Sequence, residues 1–407
     1  MNILVIGNGF DLAHELPTKY TDFLEFVKVI KQALSKEGLA GINWGNIDAE
    51  VEKFLRFNKR KGQQNFTSKK QIWEDLINDN IWIEYFLPIY TDRERNGKDG
   101  WIDFESEISS VIQSLDEDII TFDFENNTQL ISNVFLSARY CDANPQITYK
   151  QLRDKLLSDL GRLIRAFEIY LCEYVRNIEI QKKSPDIEKL EIDKVLSFNY
   201  TDTFFKLYKT ATGTKEDKDS FDYIHGKAAI SSTIESNNIV LGIDEYLPDD
   251  RKNKDVEFIA FKKYYQRIHK QTGCKYKGWV DNIRKDYIDH LHKIEIANYK
   301  ELQYIPDKMQ SMFNKHAMSA IKREKCQVHN LYIFGHSLDV TDGDILRDLI
   351  LNDNVYTTIF YHNKDVMGQQ IANLVKVIGQ DELIRRTGGS TKTIEFKQQQ
   401  DMVEINS

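Results

Sequence analysis

The feature that most restricts what this chain can fold into is a set of short, nearly continuous apolar runs, widely separated, each ending in small or polar residues. Asn2-Ile3-Leu4-Val5-Ile6 leads into Gly7-Asn8-Gly9, Lys194-Val195-Leu196-Ser197-Phe198 into Asn199, and Asn330-Leu331-Tyr332-Ile333-Phe334 into Gly335. A strand exposed on one face alternates apolar and polar residues, whereas runs without that alternation suit parallel strands covered on both faces. Weaker runs lie at Phe221–His225 and Val355–Tyr361, and Asn238–Gly242 adds another. Helical patterns follow the strong runs, so the fold class is α/β with a parallel sheet. In such sheets ligands bind outside the carboxyl ends of the strands, so the residues just after each run are the candidates for chemistry.

Between the runs the sequence reads as helix. Thr18 is placed to cap a helix reaching about residue 35, with Tyr20, Phe23, Leu24 and Val27 on one face. Residues 69–91 and 101–120 are amphipathic, Tyr149–Ile180 carries an apolar stripe, and a helical block rich in Lys, Tyr and His spans about 255–325. The expected organisation is a sheet core assembled from 1–35, 191–250 and 326–397, interrupted by large α-helical insertions at 36–190 and 251–325. Polar runs near 58–70, 92–100, 181–190 and 213–219 read as exposed loops, and the last ten residues as frayed.

Hydrophobic residues make up 41% of the 407, enough for a sizeable core, which sets disorder aside. With 55 basic against 63 acidic residues the net charge is −8, which argues against a general nucleic-acid coat without excluding a local basic groove. No apolar run approaches the roughly 18–20 residues of a membrane span. The N-terminus enters a strand-like run with no basic region before it, so no signal peptide is expected and a cytoplasmic location without membrane contact is. Cys141, Cys172, Cys274 and Cys326 show no C-x-x-C spacing, so neither a zinc ribbon nor another metal site is expected.

Four strand-end motifs carry the candidate chemistry. In Gly7-Asn8-Gly9-Phe10-Asp11-Leu12-Ala13-His14 two glycines permit close backbone approach to a diphosphate, and the helix start beyond them adds partial positive charge. Leu12 stands where the dinucleotide fingerprint has its third glycine, and no acidic residue ends a second strand about 20 residues on, which counts against a hydride-transfer enzyme. The alternative is a tight strand-to-helix turn with Asp11 as a local cap. In Ser197-Phe198-Asn199-Tyr200-Thr201-Asp202-Thr203 the Asn199 amide can position a water or a sugar hydroxyl, unless Asn199 is a turn residue and Thr201 an N-cap.

Tyr223-Ile224-His225-Gly226 brings an imidazole to the next strand end, where it could serve as general base towards a ribose hydroxyl or water. Phe334-Gly335-His336-Ser337-Leu338-Asp339-Val340-Thr341-Asp342 offers a loop glycine and a hydroxyl to phosphate or ribose, with Thr341 or Asp342 capping the next helix. Asp339 occupies the position where a G-x-S-x-G nucleophile elbow needs Gly, so a hydrolase of that type is set aside. Glu105 reads as a helix start, with a place at a pocket rim as the alternative. The Lys/Tyr-rich stretch 261–287 reads as an exposed amphipathic face, or as nucleic-acid contact through stacking. A metal-dependent nuclease would need Asp11, His14 and Asp342 to converge.

These four blocks, in this order, resemble the phage abortive-infection AbiH family, with Leu16, Thr18, Tyr20, Asp22 and Phe23 extending the first block. The matches bracket residues 1–350. The blocks are also similar to the remote sirtuin-like defence NADases, which share a first-strand glycine loop, a strand ending in Asn-Tyr, a His-Gly and a late Gly-x-Ser with a downstream Asp. This second resemblance implies a Rossmann-like (sirtuin-like) fold that takes NAD⁺ as substrate and breaks its nicotinamide–ribose bond. It implies that Asn199 orients the attacking water and that His225 contacts the ribose hydroxyls as acid or base. Gly7, Asn8 and Gly9 would cradle the diphosphate, with Phe10 and Asp11 in the same loop, and Gly335, Ser337 and Asp342 would lie on the ribose and adenine side. The zinc-binding cysteines of deacetylating sirtuins are absent, and Asn8 replaces the Ala of their opening loop. The protein expected is a latent antiphage effector with a nucleotide ligand, a phage or host trigger protein and a homo-oligomeric state. A nucleotide-binding sensor without turnover, or a nucleic-acid-directed toxin, is the alternative.

Overall fold

The computed structural model describes residues 1–35, 51, 52, 55, 70–95, 102–121, 149–208, 219–302 and 326–405. Six strands form one parallel sheet: β1 (Asn2–Ile6), β2 (Lys194–Ser197), β3 (Phe221–Tyr223), β4 (His329–Phe334), β5 (Val355–Tyr361) and β6 (Ile394–Gln398), in spatial order β3-β2-β1-β4-β5-β6. The central strand β1 lies between Lys194–Ser197 on one side and Asn330–Phe334 on the other, with Ile6 opposite both Ser197 and Phe334. Strand order therefore reverses between β1 and β4, and in open parallel sheets that reversal is where a crevice opens at the carboxyl edge.

The uninterrupted apolar runs have the cause expected of them, because both sheet faces are covered. Ile3, Val5, Leu331 and Ile333 point to one face and Leu4, Ile6 and Phe334 to the other, as the two-residue strand period requires. On the first face they meet Tyr276, Val280 and Ile283, together with Ile345, Leu349, Leu374 and Val377; on the second, Phe10, Phe204, Phe221 and Ile187. A larger helical core lies beside the sheet, built from α2 (Tyr20–Leu34), α3 (Lys70–Ile77), α4 (Ile81–Arg95), α5 (Phe104–Thr121) and α6 (Tyr149–Ile169), after the short α1 (Asn8–Ala13). The chain continues through α7 (Thr203–Leu207), α8 (Lys263–His269), α9 (Tyr276–Leu302), α10 (Gly343–Ile350), α11 (Lys364–Ile378) and α12 (Gln380–Thr387).

Several sequence expectations are corrected. The pattern over 69–91 is two helices, broken at Asn78–Asn80. Asn238–Gly242 is buried extended chain rather than a strand: its Val240 N–H reaches the His225 carbonyl at 2.8 Å, so it clasps the His225–Gly226 turn. Thr18 does not cap α2; the Asp22 carboxylate receives the Lys19 N–H instead, and the Thr18 hydroxyl turns to Asn8 Oδ1 at 2.7 Å. The last ten residues are not frayed throughout, for Gln398 ends a sheet strand begun at Ile394 and Val403–Glu404 pairs with Lys182–Lys183, inside a run expected to be loop. The face expected to be exposed over 261–287 has Phe261, Lys262, Lys263, Tyr276, Trp279, Val280 and Ile283 buried. The expected loops at 58–69, 96–100 and 213–218 lie outside the described residues.

Candidate functional site

All four strand-end motifs meet at the carboxyl edge. Two of them meet through glycine. Gly335, at φ +67°, takes a backbone conformation that favours glycine, and a Cβ there would sit 2.1 Å from Phe10 N. Gly7 and Gly9 face it so closely that a Cβ on either would lie under 3 Å from Gly335 backbone atoms. Their N–H groups are already used: Gly7 donates to Phe334 O at 3.2 Å and Gly9 to Gly335 O at 2.8 Å, while Phe10 donates back to Gly7 O at 2.8 Å. These glycines join two loops, and two of the donors expected to face a diphosphate, the Gly7 and Gly9 N–H groups, are turned into the protein. Phe10 is fully buried among His14, Phe204, Tyr208 and Phe334 and so belongs to the core.

Asp11 is neither a helix cap nor exposed. Its Oδ2 accepts a 2.6 Å hydrogen bond from the Thr201 hydroxyl, itself in line with Thr203 at 3.0 Å, so Thr201 ties the second motif to the first instead of capping α7. Burial pushes the Asp11 carboxyl up to about 6, against the hydrogen-bonding pull of Thr201 and Thr203; the Asn199 amide lies close by, outside hydrogen-bond geometry. Asn199 is 4% exposed, and both its side-chain polar atoms lack hydrogen-bond partners, as does Asp11 Oδ1.

His225 ends the next strand over. Its Nε2 lies 3.4 Å from Asp342 Oδ1, and His336 Nε2 lies 3.5 Å from Asp342 Oδ2. The tautomer of His336 follows from its other nitrogen: Nδ1 accepts the Leu338 N–H at 2.9 Å, so the proton of the neutral ring sits on Nε2, towards the carboxylate. For neutral His225, a proton on Nε2 towards Asp342 leaves Nδ1 with a free lone pair, and that atom is buried without a partner. Phe198 stands edge-on to both rings, at 4.3 Å from His336 and 5.6 Å from His225.

Beneath this pair lies an ion cluster drawn from distant segments. Lys263, 4% exposed at the start of α8, contacts Glu105 of α5 at 2.6 Å and Asp342 at 3.8 Å. Burial alone would raise the Asp342 carboxyl, but Lys263, His225 and His336 outweigh it and hold it well below the usual carboxylate range. Burial likewise opposes the Lys263 charge, yet Glu105, Asp342 and Asp244 keep it firmly protonated. Asp342 occupies the cap position of α10 but makes no cap bond, its oxygens being turned to the two imidazoles and the ammonium.

Thus His225 and Asp342 are brought together, as are Asn199 and Asp11. Asn199 and His225 share an edge but no hydrogen bond, since Asn199 makes none with its side chain. Ser337 is exposed and, with Gly9, Gly335 and His336, borders a cavity of about 460 Å³ between the β1, β4 and β5 ends and α11. His14 does not converge with Asp11 and Asp342 on a metal: Nδ1 donates to Phe10 O at 2.7 Å and Nε2 receives the Tyr208 hydroxyl at 2.8 Å. Among the described residues no group of three or more His, Cys, Asp or Glu side chains is arranged to hold a metal ion. Sequence reasoning missed Lys263 and His336. The latter was reachable, as it lies between two singled-out loop residues; nothing in the local pattern marks which lysine of a Lys-rich stretch is buried.

No described helix is long and apolar enough to cross a membrane. No curated protein and no solved structure matches the chain. One family model does, over residues 3–362, from the second residue of β1 to just past β5 and so across the four strand-end motifs; its description is bacteriophage abortive infection. The chain belongs to the bacteriophage abortive infection AbiH family.

Proposed function

We propose that this protein is an abortive-infection effector that hydrolyses NAD⁺, or a related dinucleotide, at the nicotinamide–ribose bond. The carrying observation is the pair of unsatisfied buried groups at adjacent strand ends, the Asn199 amide and His225 Nδ1. A buried polar group without a partner costs about 1–3 kcal/mol, so its retention points to a ligand or water that completes it. The strand order β3-β2-β1-β4-β5-β6 supports the reading, being the order of Rossmann-type dinucleotide-binding sheets, with the cavity at the switch point.

The chemistry asks for what this edge offers. Cleavage of the glycosidic bond releases nicotinamide as a neutral base, so no acid is required for its departure. The sugar passes through an oxocarbenium-like cation, and water adds to it while losing one proton, giving ADP-ribose. His225 Nδ1 takes that proton, with Asp342 fixing the ring through Nε2 and stabilising the imidazolium that forms. Asn199 orients the water, and the Asp11 carboxylate, ionised above about pH 6, puts negative charge on the same edge. Constant turnover would exhaust the cell, so the activity is held latent until a phage or host trigger engages the protein.

The test is nicotinamide release from NAD⁺ by protein recovered from phage-challenged cells. Wild type should release it, and His225→Ala and Asn199→Ala should each fall by about 10²-fold or more while keeping the wild-type melting temperature to within a few degrees. Absence of release from wild type, or equal release from both variants, overturns the reading.

A further inference from the structure

We infer that Glu105 and Lys263 are positioning residues for His225: the Glu105 carboxylate draws the Lys263 ammonium off Asp342, and the balance between them decides whether His225 Nδ1 stays free of a proton. The inference rests on the reading of His225 as the base, and it adds two residues that lie outside the strand-end motifs. Asp342 Oδ1 is approached from two sides, by His225 Nε2 at 3.4 Å and by Lys263 Nζ at 3.8 Å, while Oδ2 faces His336 Nε2 at 3.5 Å. Glu105 Oε2 lies closer to the same ammonium, at 2.6 Å. Lys263 is 4% exposed, so little solvent screens these charges from one another. With the ammonium seated on Glu105, Oδ1 stays open to the imidazole.

The charges give the direction. Two carboxylates and one ammonium leave a single negative charge, which a proton on one imidazole would cancel. Burial raises the Glu105 carboxyl, and Lys263 is the largest of the forces that oppose it. Taking away the ammonium leaves Asp342 to the two imidazoles, so a second proton settles on His225 more readily and the Nδ1 lone pair is lost. Taking away the Glu105 charge frees the ammonium to close on Oδ1, where it competes with His225 Nε2 and repels a charged ring. Other ionisable groups nearby do not reverse this. Asp103, Asp244 and Asp339 add negative charge, Arg267 is turned to Asp344 at 3.3 Å, and the phenols of Tyr20 and Tyr200, raised by burial, stay neutral. The two substitutions break one ion pair yet push His225 in opposite directions, which loss of packing alone cannot do.

The experiment follows the His225 ring nitrogens by ¹⁵N NMR from about pH 8 to about pH 5 in histidine-labelled protein. A His225→Gln sample identifies its signals among the nine histidines. Relative to wild type, Nδ1 should take on its proton at a pH about 1 higher in Lys263→Met and about 1 lower in Glu105→Gln. The acid limb of nicotinamide release should follow the ring in each variant. Displacement in the same direction in both variants, or no displacement in either one, overturns the inference. The melting temperature reports whether each variant is folded, and should one not fold, the sign in the other decides. Because protonation is read without turnover, opposite displacements with no nicotinamide release from wild type would defeat the hydrolase reading and leave the effect of the pair on the ring standing.

Discussion

At the amino edge of the sheet, where β5 and β6 begin, Arg386 is 2% exposed and every nitrogen of its guanidinium is occupied. Nε meets Glu382 at 2.6 Å, one terminal nitrogen meets Thr393 Oγ1 at 3.2 Å and Asn352 O at 3.4 Å, and the other meets Asp353 at 2.9 Å and Leu351 O at 3.0 Å. At the carboxyl edge Asn199, Asp11 and His225 are buried just as deeply, yet each keeps at least one polar atom without a partner. Both edges bury polar groups; around Arg386 they are completed, and around Asn199, Asp11 and His225 they are not. A completed network is explained by the fold it holds, whereas an incomplete one costs stability that the fold gains nothing from. Unpartnered atoms occur elsewhere, at His329 and Asn354 among others; what sets the carboxyl edge apart is that three residues bearing them gather where the strand-end motifs meet.

The largest expected effect tests the completed side. Arg386→Met removes a buried cation that joins α12 to the turns before β5 and β6, and leaves two backbone carbonyls facing apolar atoms. Unfolding by denaturant should show a loss of about 3 kcal/mol. Glu382, held down to about 2 mainly by Arg385 and further by Arg386, should titrate higher in the variant. A loss below about 1 kcal/mol would mean that the amino edge is no better completed than the other, and the comparison would fail.

The parallel sheet and the four strand-end motifs were legible because both have local signatures: unbroken apolar runs for strands covered on two faces, and Gly, Asn or His at their ends. Ile394–Gln398 was missed because IEFKQ alternates, as an edge strand with one solvated side does. Asn238–Gly242 was misread as a strand since an apolar run records burial, not pairing, and this one is buried by lying across His225–Gly226. Motif order set His225 beside Asn199 and left Asp342 to the ribose and adenine side, so neither the His225–Asp342 contact nor its junction with Lys263 and Glu105 was foreseen. Their union depends on how α5 and α8 come against the sheet, which no spacing in either segment encodes. That the glycine loop would pack on the Gly335 loop, with the Gly7 and Gly9 N–H groups bonded to Phe334 O and Gly335 O, has no signature in either motif alone.

A middle-sized effect is readable in pH. The Asp11 carboxyl titrates near 6 in the folded protein and near 3.8 when unfolded, because burial disfavours its charge. Between those values the folded state retains a proton that the unfolded state has released, so stability falls as pH rises from about 4 to about 6 and is flat above. The Asp11 contribution is on the order of 2 kcal/mol across that window. Asp244, also raised to about 6 by burial, acts with the same sign, so the comparison must be with Asp11→Asn, in which Asp244 still titrates. The stability of wild type minus that of the variant should decline across pH 4–6. A difference that stays constant, or rises, would show that Asp11 is not the buried, incompletely partnered carboxylate on which the carboxyl-edge argument depends.

The smallest effect discriminates best, because its sign is opposite to that of an ordinary core substitution. Asn199→Leu keeps the number and branching of side-chain heavy atoms, its methyl groups being bulkier than the amide ends, and removes two buried polar atoms that have no partners, while the backbone N–H keeps its 3.1 Å bond to Ser197 Oγ. If those atoms are completed only by ligand or water during function, the unliganded protein should gain about 1 kcal/mol, seen as a rise of a few degrees in melting temperature. The same variant should lose nicotinamide release, and its Asp11 carboxyl should titrate higher still without the Asn199 amide beside it. A fall in stability would instead place Asn199 among the completed groups, like Arg386 at the other edge, held by the fold for the sake of the fold. Gain of stability together with loss of activity is the combination that a structural asparagine cannot produce, since there the two would fall together.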